Sequence, residues 1–134
     1  MLNGPKNIKY KKTKKGKLVK LEFKSNNLKF GTIGLKAAES GIISSKQIEA
    51  ARQAITRKIK RKGKMWIRIF PYLPITSKPT GVRMGKGKGQ ISHWGARVRG
   101  GTTLFEICGV NFSIVINALR TGGAKLPIKT KIFT

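Results

Sequence analysis

The chain has 134 residues, 30 of them Lys or Arg and only four of them acidic, so its formal net charge is +26. This length predicts one domain with a buried core, but a free-standing domain of this size usually carries a net charge of about 2–8 in magnitude. The excess positive charge therefore indicates a polyanionic partner that relieves the self-repulsion.

Several function classes are disfavoured by the same inventory. The apolar runs are too short for membrane insertion, which needs about 18–20 residues, and residues 1–17 lack the apolar stretch of a secretory signal, so we expect action inside a cell or organelle. One cysteine and one histidine are too few for a four-ligand zinc site, and neither a cofactor nor a homo-oligomer is expected. The candidate catalytic groups show no spacing that suggests an enzyme: they are Glu22, Glu39, Glu49, Glu106, His93 and Cys108.

The chain begins with a basic segment, residues 1–17, which holds seven Lys and only isolated apolar residues. Such a segment gains little by burying itself, so we predict a disordered N-terminal arm that orders on its partner. Residues 18–134 are then predicted to form a single RNA-binding domain.

The first half of that domain is predicted to contain a strand, a turn and a helix. Apolar and charged residues alternate over residues 18–23, which predicts a half-buried strand, and a second extended segment follows at residues 28–35. Ser44 and Gln47 have the spacing of a capping box, and residues 45–62 contain neither Gly nor Pro, which predicts a helix that Gly63 ends.

The second half is predicted to consist of short strands and one more helix. Residues 64–70 predict a strand buried on both faces, and three prolines at 71–79 then require a loop or an extended edge. Residues 96–99 and 103–107 are predicted to pair as a hairpin. Asn111 is expected to cap a helix over residues 112–121, and residues 127–133 to return as a strand. The whole pattern favours an α+β fold with a mainly antiparallel sheet and two helices.

Cations are concentrated at the end of the first predicted helix and in the arm. Favourable interaction with the helix dipole is worth only about 0.3–1 kcal/mol per charge and would not require so many. A solvated face is the ordinary alternative, but the charge of +26 favours an RNA-binding face. The predicted RNA contacts are Lys11, Lys12, Lys14, Lys15, Arg52, Arg57, Lys58, Lys60, Arg61, Lys62, Lys64, Arg68, Arg97 and Arg99.

Glycine and cations alternate in one segment, which comprises Arg83, Met84, Gly85, Lys86, Gly87, Lys88 and Gly89. Neither the phosphate-loop motif nor the dinucleotide-binding fingerprint fits, because the lysines are followed by Gly and the segment comes after a proline-rich stretch. A flexible basic loop that approaches an RNA backbone accounts for the same residues, and an inert surface turn is the alternative.

Two segments carry a family resemblance: residues 60–71, which read KRKGKMWIRIFP, and residues 83–89, which read RMGKGKG and precede Trp94 by five residues. With them the chain resembles the bacterial-type large-subunit ribosomal protein L-sixteen family over nearly its whole length, least at residues 18–29 and 111–123. The resemblance implies an α+β protein bound to large-subunit ribosomal RNA at the base of the central protuberance. It also implies a glycine-lysine loop that faces A-site tRNA near the peptidyl-transferase centre, and other large-subunit proteins as neighbours.

Two rival functions and one question of compartment stay open at this stage. A histone-like nucleic-acid compacting protein would also use a charge of +26 and a basic arm, whereas an RNA-modifying enzyme would need a base or nucleophile that is not evident. Lys and Ile, whose codons are A/T-rich, are abundant, which favours a mitochondrial gene over a plastid one or that of an A/T-rich bacterium.

Overall fold

The computed structural model describes residues 4–134, and within that range the chain forms seven strands and two helices. In chain order the elements are β1 (Ile33–Ala37), β2 (Gly41–Ser44), α1 (Ser45–Lys58), β3 (Lys64–Ile67), β4 (Leu73–Ser77), β5 (Gln90–Val98), β6 (Thr103–Cys108), α2 (Phe112–Gly123) and β7 (Thr130–Phe133). All strand pairs are antiparallel, which confirms the predicted α+β class. Neither helix in the described residues is long and apolar enough to cross a membrane.

One layer of the fold is a four-stranded sheet with the order β3-β6-β1-β7. Its inner face is apolar because alternate residues of neighbouring strands meet there: Ile33 lies opposite Ile107, and Leu35 lies opposite Phe105. Helices α1 and α2 pack against each other, and α2 also contacts β1. The apolar stripe of α2 thereby becomes buried against this sheet, and that of α1 is buried against α2, β2 and β5.

The start of α1 is the one that the sequence predicts. The Ser44 hydroxyl accepts a hydrogen bond from the Gln47 amide at 3.3 Å, and the Gln47 side chain accepts one from the Ser44 amide at 2.9 Å. These two bonds complete the predicted capping box.

The predicted end of α1 is wrong, because the helix ends at Lys58 and not at residue 62. Lys60 and Arg61 have left-handed φ values of 51° and 61° and reverse the chain after the buried Ile59. Gly63 then passes so close to the end of β6 that an added Cβ would lie 2.4 Å from the Cys108 carbonyl oxygen. The early end brings β3 into register with β6.

A three-stranded sheet with the order β2-β5-β4 forms the second layer. Strand β4 contains Pro74, which an edge strand tolerates because one of its sides has no partner, so the predicted extended edge is confirmed. The predicted hairpin of residues 96–99 with 103–107 is wrong, since β5 and β6 belong to different sheets. The turn between them instead bonds to β1, where the Gly101 amide donates to the Ala37 carbonyl at 2.8 Å.

The strand predicted at residues 18–23 is also wrong. Val19, Leu21 and Phe23 are exposed, and this segment makes only isolated backbone hydrogen bonds, such as that from the Glu22 amide to the Gly100 carbonyl at 2.9 Å. Its apolar and charged residues alternate, but no strand among residues 4–134 pairs with it. Alternation without a pairing strand leaves its apolar face in water.

The last two predicted elements are present with shifted bounds. Asn111 caps α2 as expected, because its side chain accepts a hydrogen bond from the Ser113 amide at 3.1 Å, but α2 continues to Gly123. The final strand is β7. Of the predicted strand at 64–70, only β3 is regular; it is half-buried and not enclosed on both faces, and Phe70 is exposed.

Candidate nucleic-acid interface

The cations in the last turn of α1 and directly after it form a basic turn, which we define as Arg57, Lys58, Lys60, Arg61 and Lys62. All five side chains are exposed. Within the described residues none of the five forms an ion pair with a carboxylate. Arg57, Lys60 and Arg61 also line a shallow groove of about 470 Å³ together with Arg52. The basic turn is therefore a concentrated positive surface that is open to a polyanion.

Arg52 differs from the residues of the basic turn because its guanidinium is already paired with a carboxylate. Its guanidinium donates two hydrogen bonds to Glu49, at 2.6 and 2.9 Å, one turn earlier on α1. The hydrogen bond from Arg52 holds the pKa of Glu49 below its ordinary value, against the opposing effect of burial. Any contact of Arg52 with RNA would have to share or replace this pair.

Arg68 is the second predicted contact that an acid engages. Its side chain is only 12% exposed and forms an ion pair with Glu106, whose side chain is fully buried. Burial raises the pKa of Glu106. Hydrogen bonds from the backbone amides of Gly31, Phe30 and Lys29, and then from Arg68, more than offset that effect, so the pKa lies below its ordinary value. Glu106 is thus a charged structural carboxylate.

The glycine-lysine segment forms the tip of a twelve-residue loop, residues 78–89, which joins β4 to β5 at one edge of the three-stranded sheet. Gly85 and Gly87 have φ values of 94° and 86°, and no heavy atom lies within 4 Å of a Cβ added at either one. Met84 at the tip is 96% exposed. The loop therefore presents exposed cations beside two glycines whose missing side chains leave room for a close approach.

The described part of the arm, residues 4–17, contains no helix or strand and contacts Lys88 of the glycine-lysine segment. The Lys12 ammonium donates to the Lys88 carbonyl at 2.7 Å, and the Lys88 ammonium donates to the Thr13 carbonyl. Arg97 of β5 donates to the Lys14 carbonyl at 3.0 Å. Residues 1–3 of the predicted arm lie outside the described residues, and its predicted disorder stays a prediction.

The remaining predicted contacts lie on several elements. Lys64 is exposed at the start of β3, and Arg99 is exposed after β5, where its guanidinium lies 3.8 Å from Glu22. Lys11 and Lys15 are exposed in the arm. Sequence reasoning did not single out Phe30, which stacks on Trp66 with their ring centroids 6.0 Å apart. Its position depends on Glu106, 76 residues away, and no local pattern reveals that contact.

Together these features define a class: a small basic α+β protein with several cationic surfaces. Among residues 4–134, no group of three or more His, Cys, Asp or Glu side chains is placed to hold a metal ion. The description "Ribosomal protein L16p/L10e" belongs to a family profile that matches residues 5–133.

Curated relatives agree with the family profile. The chain is 54% identical over 127 residues to the large ribosomal subunit protein uL16 of Bartonella quintana, covering 95% of this chain and 93% of that protein. It is 52% identical over 130 residues to uL16 of Caulobacter vibrioides, covering 97% of this chain and 91% of that protein. The chain belongs to the L16p/L10e family of ribosomal proteins, and it is a structural constituent of the ribosome and not an enzyme.

Proposed function

We propose that this protein is a constituent of the large ribosomal subunit, anchored on large-subunit rRNA, whose loop 78–89 supports A-site tRNA near the peptidyl-transferase centre. The observation that carries the second part is the loop itself, in which the exposed side chains of Arg83, Lys86 and Lys88 lie beside Gly85 and Gly87, whose backbone faces open space. A phosphate can approach a glycine backbone closely without a steric clash, and the neighbouring Lys and Arg side chains supply the positive charge. The family resemblance supports tRNA as its partner and the base of the central protuberance as its location.

We assign anchoring on rRNA to the fourteen predicted RNA contacts outside the loop. Eleven of the fourteen predicted contacts are exposed, while Arg52, Arg68 and Arg97 are partly covered. The basic turn begins in the last turn of α1 and leads into the four-stranded sheet, whereas the loop joins two strands of the three-stranded sheet. Because different sheets carry the two surfaces, they can have separate roles. Substitutions in the loop should then leave the binding of the basic turn to rRNA intact.

The test is to change each surface alone and measure occupancy and tRNA binding in the same purified subunits. With Arg83, Lys86 and Lys88 all changed to Ala, we expect near-normal occupancy of large subunits but weaker A-site tRNA binding. With Arg57, Lys58, Lys60 and Arg61 all changed to Glu, we expect the protein to be absent from subunits, because like charges would face phosphate.

A matched control removes the same charge elsewhere. Lys125, Lys129 and Lys131, which are exposed before and within β7, are changed together to Ala, and tRNA binding should stay normal. Normal tRNA binding with the loop variant would contradict the proposed role of the loop. Loss of that variant from subunits would make the loop an anchor.

A mitochondrial ribosome is the compartment that the abundance of Lys and Ile suggests, and we keep it as a proposal on that ground alone. The relatives named above are bacterial and do not support it. Cell fractionation tests it: co-sedimentation with mitochondrial ribosomes is expected, and presence only in cytoplasmic ribosomes would contradict it.

A further inference from the structure

The outer face of the four-stranded sheet, opposite the helices, has an unusual lining. Trp66 and Glu106 lie directly opposite each other on β3 and β6, and Gly34 of β1 lies opposite Glu106 on its other side. Residues 28–31 cross over this row, and an added Cβ on Gly34 would lie 2.7 Å from the Leu28 side chain. This segment is therefore packed directly onto the sheet.

Glu106 fixes the crossing segment from below. Its carboxylate accepts hydrogen bonds from the amides of Phe30 at 2.7 Å, Gly31 at 2.8 Å and Lys29 at 3.2 Å. The same carboxylate pairs with Arg68. Three consecutive amides on one buried carboxylate hold the backbone of Phe30 in a single position, so its ring is placed before any partner arrives.

The Phe30 ring is supported on the sheet side and open to solvent. It stacks on Trp66 with planes inclined by 23°, and the Arg68 guanidinium lies 5.3 Å from the ring centroid. Despite these contacts 57% of Phe30 is exposed. Lys64, two residues before Trp66 on the same strand and hence on the same face, is exposed as well.

We propose that Phe30, supported by Trp66 and Arg68, is a stacking platform for one unpaired base of RNA, with Lys64 on a neighbouring phosphate. The inference deepens the proposed function and depends on it. Aromatic rings beside cations are how proteins bind single-stranded nucleic acid, because every base has a face that stacks. A protein partner is less well matched, since the local acid, Glu106, is buried and already paired, which leaves exposed Lys29 and Lys64 as the charges around the ring.

The test uses the full chain and an unpaired RNA oligonucleotide of about eight nucleotides that contains the fluorescent base 2-aminopurine. Phe30→Leu keeps an apolar side chain but removes the aromatic face. It should weaken binding by about tenfold and relieve the quenching of the fluorescent base, without a change in salt dependence because no charge is lost. Phe30→Tyr should restore both binding and quenching.

Phe112 gives a matched control, because this aromatic residue at the start of α2 is 55% exposed and carries no aromatic contact of this kind. Phe112→Leu should bind as the unchanged protein does. Thermal melting verifies that both variants fold. For an oligonucleotide with abasic sites, the unchanged protein and Phe30→Leu should have equal affinity, because there is no base to stack on the ring.

Two results would overturn the platform. The first is equal RNA affinity of Phe30→Leu and the unchanged protein; if that variant is nevertheless under-represented in large subunits, the ring contacts a neighbouring protein instead. The second is an equal loss of affinity in Phe30→Leu and Phe112→Leu. Failure of the unchanged protein to bind large-subunit rRNA would count against the proposed function itself. This result differs from both results that overturn the platform, so the two failures can be told apart.

Discussion

Glu106 has more structural partners than any other acid of the chain's described part. It joins β6 to the amides of residues 29–31 and to Arg68 after β3, and its side chain is fully buried. Glu49, by contrast, pairs with Arg52 on a partly exposed helix surface. Both are Arg–Glu ion pairs, but one is buried and the other is partly exposed. The effect of burial on such a pair can therefore be measured within one protein.

We predict that Glu106→Gln lowers the free energy of unfolding by about 3–5 kcal/mol, because it leaves the Arg68 guanidinium buried without an anion. Glu49→Gln should change it by no more than about 0.5 kcal/mol, as for exposed helix pairs. Urea unfolding of both variants measures the difference. Similar small effects in both would show that the Glu106 pair contributes little.

The two variants should also differ in acid. Because folding lowers the pKa of Glu106 below its ordinary value, the stabilisation by its carboxylate is fully present above that ordinary value and is lost as pH falls through the lower, folded pKa. The Glu106→Gln variant lacks this carboxylate. Its stability should therefore fall less steeply with acid than that of the unchanged protein.

The contact between α1 and α2 depends on a missing side chain. Gly122, buried in the last turn of α2, faces Ile55 of α1, and an added Cβ would lie 2.5 Å from the Ile55 Cγ1 atom. Alanine normally stabilises a helix by about 0.5–1 kcal/mol relative to glycine. Here the two helices lie too close together to accommodate the methyl group of an alanine at this position.

We therefore predict that Gly122→Ala destabilises the protein by about 1–3 kcal/mol through overpacking. Ile55→Ala alone should cost about 2–5 kcal/mol, and the double variant should cost clearly less than the sum, because the new methyl group fills part of the cavity. Chemical unfolding of the three variants gives the coupling. Simple additivity would contradict the contact.

The arm touches the rest of the protein through few bonds. It bonds to loop 78–89 through Lys12 and Thr13 and to β5 through Lys14, and these contacts are formed by backbone carbonyls and flexible cations. The described residues 4–17 of the arm contribute nothing to the buried apolar core. Its attachment therefore contributes little to stability, and its seven Lys raise the repulsion within the chain.

Removal of residues 1–17 should leave the melting temperature unchanged or slightly higher while RNA affinity falls. A chain of equal length in which the seven Lys are Ser separates the effect of charge from that of length. A large loss of thermal stability would show that the arm is part of the folded domain.

Elements governed by local chemistry could be predicted from the sequence. Ser44 and Asn111 begin both helices because a cap is decided within three residues, and the glycines at 85 and 87 identify the exposed loop. Pairing between distant segments could not be predicted. Residues 18–23 alternate like a strand yet have no strand to pair with, and β5 and β6 separate into two sheets because each finds its neighbours elsewhere. The contact of Glu106 with the Phe30 amide could not be predicted for the same reason, because 76 residues separate the two.

At the scale of the whole molecule, the charge of +26 dominates the expected behaviour in solution. If binding to large-subunit rRNA neutralises about 6–10 phosphates, raising the salt concentration from about 50 to 200 mM should lower the affinity by about 10³–10⁵. Titration at several salt concentrations measures the slope. An affinity that does not change with salt would mean that phosphate contacts are not the basis of binding.

The most direct measurement of the central claim is sedimentation of the native protein from a cell lysate, at a salt concentration that removes loosely bound basic proteins. We predict that it sediments with the large ribosomal subunit at about one copy per subunit, and that it is absent from bulk DNA at the same salt. Recovery with DNA, or as free protein beside intact large subunits, would contradict a constituent of the large subunit and would favour a nucleic-acid compacting protein.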